Sequence, residues 1–264
     1  VMSIVSKSVP RIEVYSIDEC FMDLDGISDV RQFGQQLSAK VERWTGIPVS
    51  VGVAPTKTLA KMASRFAKKY PGYKGCCVID TEERRLKALQ LTAISDVWGI
   101  GRRMSETLRQ CAVTTAYDFT LWKPERIRRM FSLPAVHTWR ELNGLSCIQL
   151  ETPSAKQSIT SSRSFKSPIS DFEQLHAVVA DFSALCARKL RKEKSAARLI
   201  TVFIRTDRFR PDLPQYSNAA SVQLDVATSD VREIATAAHK ALRNIFQPHF
   251  GYKKAGVMLS QISN

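Results

Sequence analysis

The chain has 264 residues, 44% of them hydrophobic, enough to fill more than one core of ordinary domain size. Lys and Arg number 39 against 25 acidic residues, a formal charge of +14 that calls for a polyanionic partner, either nucleic acid or an anionic membrane. No run approaches the length of a membrane span, so nucleic acid leads. Cys20, Cys76, Cys77, Cys111, Cys147 and Cys186 form no CxxC pair and have no zinc-like spacing with the four histidines, so they read as reduced structural thiols.

Val1-Met2-Ser3-Ile4 carries no signal-peptide pattern, and a strand-like run is expected almost at once, as though the chain entered a domain midway; it reads as a fragment. RIEVYSIDECFMDL, from Arg11 to Leu24, predicts two short strands of β-branched and aromatic residues with Asp18-Glu19 at the bend. Val30, Phe33, Leu37, Val41 and Trp44 form a helical stripe, which Gly46 and Pro48 end before the strand VSVGV. Pro55-Thr56 opens a helix with an apolar face of Leu59, Met62, Ala63 and Phe66. Lys57, Lys61, Arg65, Lys68, Lys69 and Lys74 stand in a stretch that has no acid from Ala54 to Ile79. A short strand over 76–79 closes this part.

From Thr81 to Cys147 only short helices are expected, broken at Gly99, Gly101, Pro124, Pro134 and Gly144. The polar residues 149–157 suit a linker. The remainder predicts β-α-β-β-α-β, with strands at 158–166, 198–205, 220–226 and 253–260 and helices at 171–193 and 230–247. Both helices are amphipathic and would cover one sheet face, with Asp230 as an N-cap. The other face is left for solvent or a ligand, on a segment with 16 basic and 9 acidic residues.

Three features could carry chemistry. At a hairpin bend Asp18 and Glu19 can both turn toward one site, where their mutual repulsion is relieved by a divalent cation, although a solvated acidic turn has the same sequence. Asp23 and Asp25 read as surface positions ending the second strand. In VWGIGRRMSETL (97–108), two glycines one residue apart permit a tight turn into a helix whose exposed N–H groups can grip a phosphate, with Arg102 and Arg103 adding charge. With a second turn at 112–115 this is a helix-hairpin-helix signature, which contacts backbone without reading sequence; an ordinary glycine turn is the alternative. The basic helix of 57–69 reads either as a solvated face or as a grip for a triphosphate. His137, His176, His239 and His249 stand apart and take no role.

Read together, YSIDECFMDL, GVAPTKTLAKMASRFAKK, DVWGIGRRM and YKKAGVML resemble the Y-family translesion DNA polymerases, most closely their bacterial UmuC (ImpB/MucB/SamB-like) branch. The resemblance implies an α+β fold: a partial polymerase palm at 1–80, a small all-helical thumb with helix-hairpin-helix at 81–148, a linker at 149–157, and a βαββαβ little-finger domain at 158–264. It implies catalytic and metal-binding roles for Asp18 and Glu19, with two Mg²⁺ in the intact enzyme and Glu19 by the primer 3′ end. Lys68 would contact the nucleotide triphosphate. Gly99, Ile100, Gly101, Arg102 and Arg103 would grip primer backbone, and Arg163, Ser164, Lys166 and Arg205 would contact phosphates along the major groove. The implied substrates are primer-template DNA and deoxynucleoside triphosphates. The implied setting is SOS repair and mutagenesis in the cytoplasm, associated with the nucleoid, with a UmuD-like subunit, a RecA filament and a sliding clamp as candidate partners.

In this family the first metal-binding Asp, the fingers and the steric gate lie N-terminal to Val1. The expectation is therefore a fragment that binds DNA but does not polymerise, unless Glu13, Asp23 or Asp25 substitutes. Cys20 stands where many relatives carry a small residue. Competing readings are a noncatalytic DNA-binding adaptor, an RNA-recognition domain and a palm-type nucleotide cyclase. RNA recognition is disfavoured because AASVQLDV (219–226), taken as a central strand, has no aromatic residue, and a cyclase leaves the glycine turn and the basic last domain unexplained.

Overall fold

The structure is a computed structural model that describes residues 1–151 and 156–263. It divides into two compact units, Val1–Pro153 and Ser154–Asn264. Part of the expected linker, residues 152–155, lies outside the described residues.

The first unit begins with a short helix, α1 (Met2–Val5), ahead of the expected strand-like run; Val5 is buried against Leu37 and Val41. The hairpin follows as β1 (Ile12–Val14) and β2 (Cys20–Met22), antiparallel with Glu13 opposite Phe21. Its bend is closed by the Tyr15 and Ser16 N–H groups, both donating to the Glu19 carbonyl at 3.0 Å. Helix α2 (Val30–Thr45) starts where the Asp29 carboxylate accepts the Gln32 N–H and ends at Gly46 in the left-handed conformation, φ 69°.

Strand β3 (Val51–Val53), helix α3 (Lys57–Lys69) and strand β4 (Cys76–Val78) make a parallel β-α-β unit, separate from the hairpin sheet. Gly52 lets β3 lie directly on α3, since a Cβ there would come 2.0 Å from the Ala60 carbonyl oxygen. Five helices follow: α4 (Glu82–Leu91), α5 (Arg102–Gln110), α6 (Ala116–Thr120), α7 (Pro124–Met130) and α8 (Leu133–Leu142). Their core is continuous with the buried face of α3: Leu59, Met62, Ala63 and Phe66 pack in one cluster with Leu89, Ile94, Leu108, Phe119, Ile127 and Leu142.

The second unit is β5 (Ser158–Ile169), α9 (Phe172–Lys192), β6 (Ala196–Arg205), β7 (Ser217–Thr228), α10 (Val231–Ile245) and β8 (Tyr252–Ser263). The sheet order is β5-β8-β6-β7, every neighbour antiparallel. Each crossover helix therefore steps over one strand. AASVQLDV falls on β7, an edge strand and not the central one expected, because the β6–β7 hairpin places its second strand outermost.

Residues opposite each other in a ladder share a face. Ile159, Leu259 and Ile200, and next to them Val257 and Val202, bury against Leu175, Val179, Cys186, Ile234, Ala238 and Leu242 of α9 and α10. His176 and His239, expected to stand apart, stack face to face between α9 and α10 with ring centroids 3.5 Å apart. Two residues 63 positions apart carry no local sign of this.

Candidate active site and nucleic-acid interface

Asp18 and Glu19 are exposed on the bend between β1 and β2. Ser16 orients the first: its hydroxyl donates to Asp18 Oδ1 at 2.5 Å and accepts the Asp18 N–H at 3.3 Å. Glu19 forms an ion pair with Lys61 of α3. Residues 57, 61 and 68 fall within a narrow arc at 100° per residue, so Lys57, Lys61 and Lys68 form one basic stripe on α3, with Lys68 exposed in the last turn. The N-cap of that helix is Thr56, and its Thr58 N–H donates to the fully buried Glu141 at 3.0 Å. Glu141 also accepts from the Cys147 and Ile148 N–H groups, tying α8 and the chain after it to the start of α3.

The stem of the hairpin is anchored from beneath. Glu13 and Lys57 form a buried ion pair; Lys57 Nζ also donates to the Gln149 carbonyl at 2.7 Å, and Glu13 accepts the Glu151 N–H at 2.8 Å. Glu13 is thereby committed to structure. Asp23 pairs with Arg11 at 3.2 Å and accepts the Asp25 N–H at 3.0 Å, so it too is engaged.

Among the described residues, no three His, Cys, Asp or Glu side chains come together as a metal-holding group. Asp18 and Glu19 have the hard oxygen donors magnesium takes, but they are an incomplete set, and Lys61 already neutralises one of them.

The glycine turn is tightly packed. Val97 and Ile100 are buried, and Gly99 has φ 90° and lies so close to α8 that a Cβ would meet the Thr138 hydroxyl at 2.6 Å. Gly101, by contrast, has φ −78° and open space where its Cβ would be. It is the N-cap of α5, without a side chain to satisfy the first N–H groups, so these face outward beside the exposed Arg102 and Arg103. The turn is entered from a three-residue 3₁₀ turn, Ile94–Asp96. The second turn is clamped onto it by Ile94 N–H to Thr114 O and Ala116 N–H to Thr92 O, each 2.9 Å. Thr115 and Asp118 form a capping box there; burial alone would raise Asp118, but the Thr115 and Thr114 N–H groups and hydroxyls lower its pKa overall.

Sequence reasoning missed three aromatic rings that join these parts. Trp98, in the glycine turn, lies 5.6 Å from both Tyr15 and Phe21 of the hairpin, which are themselves 5.6 Å apart. The Trp98 indole N–H donates to the Tyr15 hydroxyl at 3.2 Å. Lys57 sits 4.7 Å from the Phe21 ring centre, and Lys61 5.9 Å from that of Tyr15. Phe21 belongs to β2 and Tyr15 directly follows β1, but nothing local points to a partner 77 and 83 positions away, respectively.

In the second unit the face away from the helices carries rows of mostly small and polar residues, with Leu199, Met258 and Phe203 among them; past the row of Ser158, Ser260, Leu199 and Gln223, three follow. Thr160, Met258, Thr201 and Ser221 make one; Ser162, Gly256, Phe203 and Ala219 the next; Ser164, Lys254, Arg205 and Ser217 the last. Ser164 and Arg205 thus share a row, with Lys254 between them. Lys166 continues the alternation of Ser164. Arg163 stands opposite Ala255, on the helix-bearing side, and does not join them.

Two descriptions of the impB/mucB/samB family match the chain, one over residues 1–65 and the family's C-terminal domain over 156–264. The protein ImpB of Salmonella typhimurium is 42% identical over 100% of this chain and 63% of its own length. The protein UmuC of Salmonella typhimurium strain LT2 is 40% identical over 98% and 63%. The chain thus spans under two thirds of the curated relatives it matches. Among solved structures, the Y-family DNA polymerase chimera Dbh-Dpo4(243-245)-Dbh superposes with a TM-score of 0.73 at 20% identity, covering 99% of this chain and 74% of the chimera. That likeness concerns the fold.

Proposed function

The chain belongs to the impB/mucB/samB family, and from that premise we propose that it is the DNA-gripping part of a template-directed translesion DNA polymerase, carrying two of the carboxylates of nucleotidyl transfer. One observation carries the reading: Lys61, on the basic stripe of α3, reaches Glu19 on the carboxylate bend. Hard oxygen donors and phosphate-binding cations share a surface, as phosphoryl transfer requires.

In this reading Asp18 supplies metal-ligand oxygens, with Ser16 fixing its orientation, and Glu19 stands by the primer 3′ end. Magnesium, when bound, neutralises charge on the triphosphate and the attacking oxygen. Lys68, one stripe position beyond Lys61, takes the triphosphate. The N–H groups at Gly101 and the side chains of Arg102 and Arg103 hold primer backbone. In the second unit, Lys254 and Arg205, flanked by Ser164 and Lys166, lie along the duplex. The intact enzyme would act in the cytoplasm, on the nucleoid.

Because two carboxylates are an incomplete magnesium site, these 264 residues alone should bind primer-template DNA and add no nucleotide. With about five phosphates neutralised, log affinity should fall against log salt with a slope of roughly −4 to −5 on duplex. A flat salt response would remove the basic surfaces from the binding face, and nucleotide addition by this chain alone would overturn the division of labour.

A further inference from the structure

The bend that carries Asp18 and Glu19 is exposed, with Ile17 at its tip 97% accessible and Tyr15 47% accessible, yet its shape depends on Tyr15. The Tyr15 N–H is one of the two that close the bend onto the Glu19 carbonyl. Its ring lies beneath Lys61, which holds the Glu19 side chain. What supports Tyr15 from the far side is Trp98, by an edge-to-face contact and by the indole N–H bonded to the Tyr15 hydroxyl.

Trp98 is flanked by anchored neighbours. It lies between buried Val97 and buried Ile100, and it precedes Gly99, whose left-handed backbone is wedged against Thr138. A backbone bound at the N–H groups of 101–103 therefore braces the residue that braces the hairpin.

We infer that Trp98 is a positioning residue: engagement of the glycine turn by a phosphodiester backbone is transmitted through the Trp98–Tyr15 contact and stiffens the bend that presents Asp18 and Glu19. This rests on the proposal that the glycine turn binds DNA backbone. The coupling requires no large displacement; it acts by removing freedom from a bend already in its working shape. It would make the carboxylates rigid only when primer backbone is in place.

The test is amide hydrogen exchange of this chain, with and without saturating duplex DNA, in the wild type, Trp98→Ala, Trp98→Phe and Tyr15→Phe. Peptides covering 100–104 report occupancy of the turn, and those covering 14–19 report the bend. In the wild type, DNA should slow exchange at both, at the bend by about three- to tenfold, the effect of one well-set aromatic contact. Trp98→Ala should keep the slowing at 100–104 and lose it at 14–19. Trp98→Phe and Tyr15→Phe, which keep the ring contact but lose the hydrogen bond, should retain part of it.

Slowing at 14–19 that persists in Trp98→Ala would overturn the inference, as would its absence in the wild type while 100–104 is protected. No slowing at 100–104 in any variant would instead remove the underlying reading of the turn. Unchanged exchange in α3 and β4, which belong to the same unit as the bend and the glycine turn, verifies that each variant is folded.

Discussion

Gly99 and Gly101 are two residues apart and serve different ends. At Gly99 a methyl group meets a left-handed backbone and the Thr138 hydroxyl at 2.6 Å, so Gly99→Ala should destabilise the first unit by about 2 kcal/mol or more. At Gly101 the backbone is ordinary and the space empty, so Gly101→Ala should cost no more than about 1 kcal/mol, the difference between Gly and Ala at an N-cap. Its methyl group would occupy the space a phosphate needs, and duplex affinity should fall. Urea unfolding and duplex titration of both variants check this; equal effects on stability would contradict the division. The spacing alone marks both as glycines of a turn, but only Thr138, on a helix nearly forty residues later, separates their roles.

The same limit applies to charge. Glu13 looked available as a third carboxylate, yet it is buried against Lys57 and the Glu151 N–H. Glu13→Ala would leave a buried ammonium without its partner and should cost about 3–5 kcal/mol in unfolding free energy. Cys76 is pushed up to about 11, first by burial, so it should resist alkylation at neutral pH in the folded chain and react only on unfolding.

At the scale of elements, α3 and α8 are joined through Glu141, which accepts three backbone N–H groups from 58, 147 and 148. Glu141→Ala orphans these donors, and the first unit should lose about 2–4 kcal/mol while the second keeps its own unfolding transition. In the second unit the α9–α10 contact carries the His176–His239 stack. Burial first, then the neighbouring His176 charge, lowers the His239 pKa, against a raising contribution from the His176 carbonyl; Arg243 adds to the lowering. The unfolded chain then binds more protons than the folded one, so the stabilising contribution is full above the ordinary imidazole value of about 6.5 and is lost as pH falls below it. His239→Phe should flatten the dependence of the second unit's unfolding midpoint on pH between about 7 and 5; an unchanged slope would place the dependence elsewhere.

Elements were legible where their causes are local. Alternation and an acidic bend mark the hairpin; Thr56 and Asp230 mark helix starts; two amphipathic stripes mark α9 and α10. The sheet order β5-β8-β6-β7 was not legible, because it depends on which strand each crossover steps over. Helix α1 was missed because four apolar and small residues carry no period. The row that joins Ser164 to Arg205 and separates both from Arg163 follows from register, which pairs strands distant in sequence.

At the scale of the molecule, the excess of 39 basic over 25 acidic residues falls in part on two surfaces, one in each unit. In the first unit the α3 stripe and the start of α5 carry it beside the carboxylate bend. In the second, a sheet face of mostly small and polar residues, with Met258 and Phe203 among them, ends in a basic row. Replacing Lys254 and Arg205 together with Gln should weaken duplex binding about equally across sequences and reduce the salt slope by about two. A sequence-dependent loss would mean that this face reads bases.

The central claim is that Asp18 and Glu19 belong to a polymerase centre. Its most direct test is Mg²⁺-dependent nucleotide addition to a primer-template by a chain of the relatives' full length that carries these 264 residues, with and without Asp18→Ala. The account predicts template-directed addition, lowered by at least about a thousandfold in the variant, the scale of losing a metal ligand at a site of phosphoryl transfer. Addition that survives Asp18→Ala would contradict it, and tight duplex binding with no addition by the unaltered full-length chain would make the protein a noncatalytic DNA-binding adaptor.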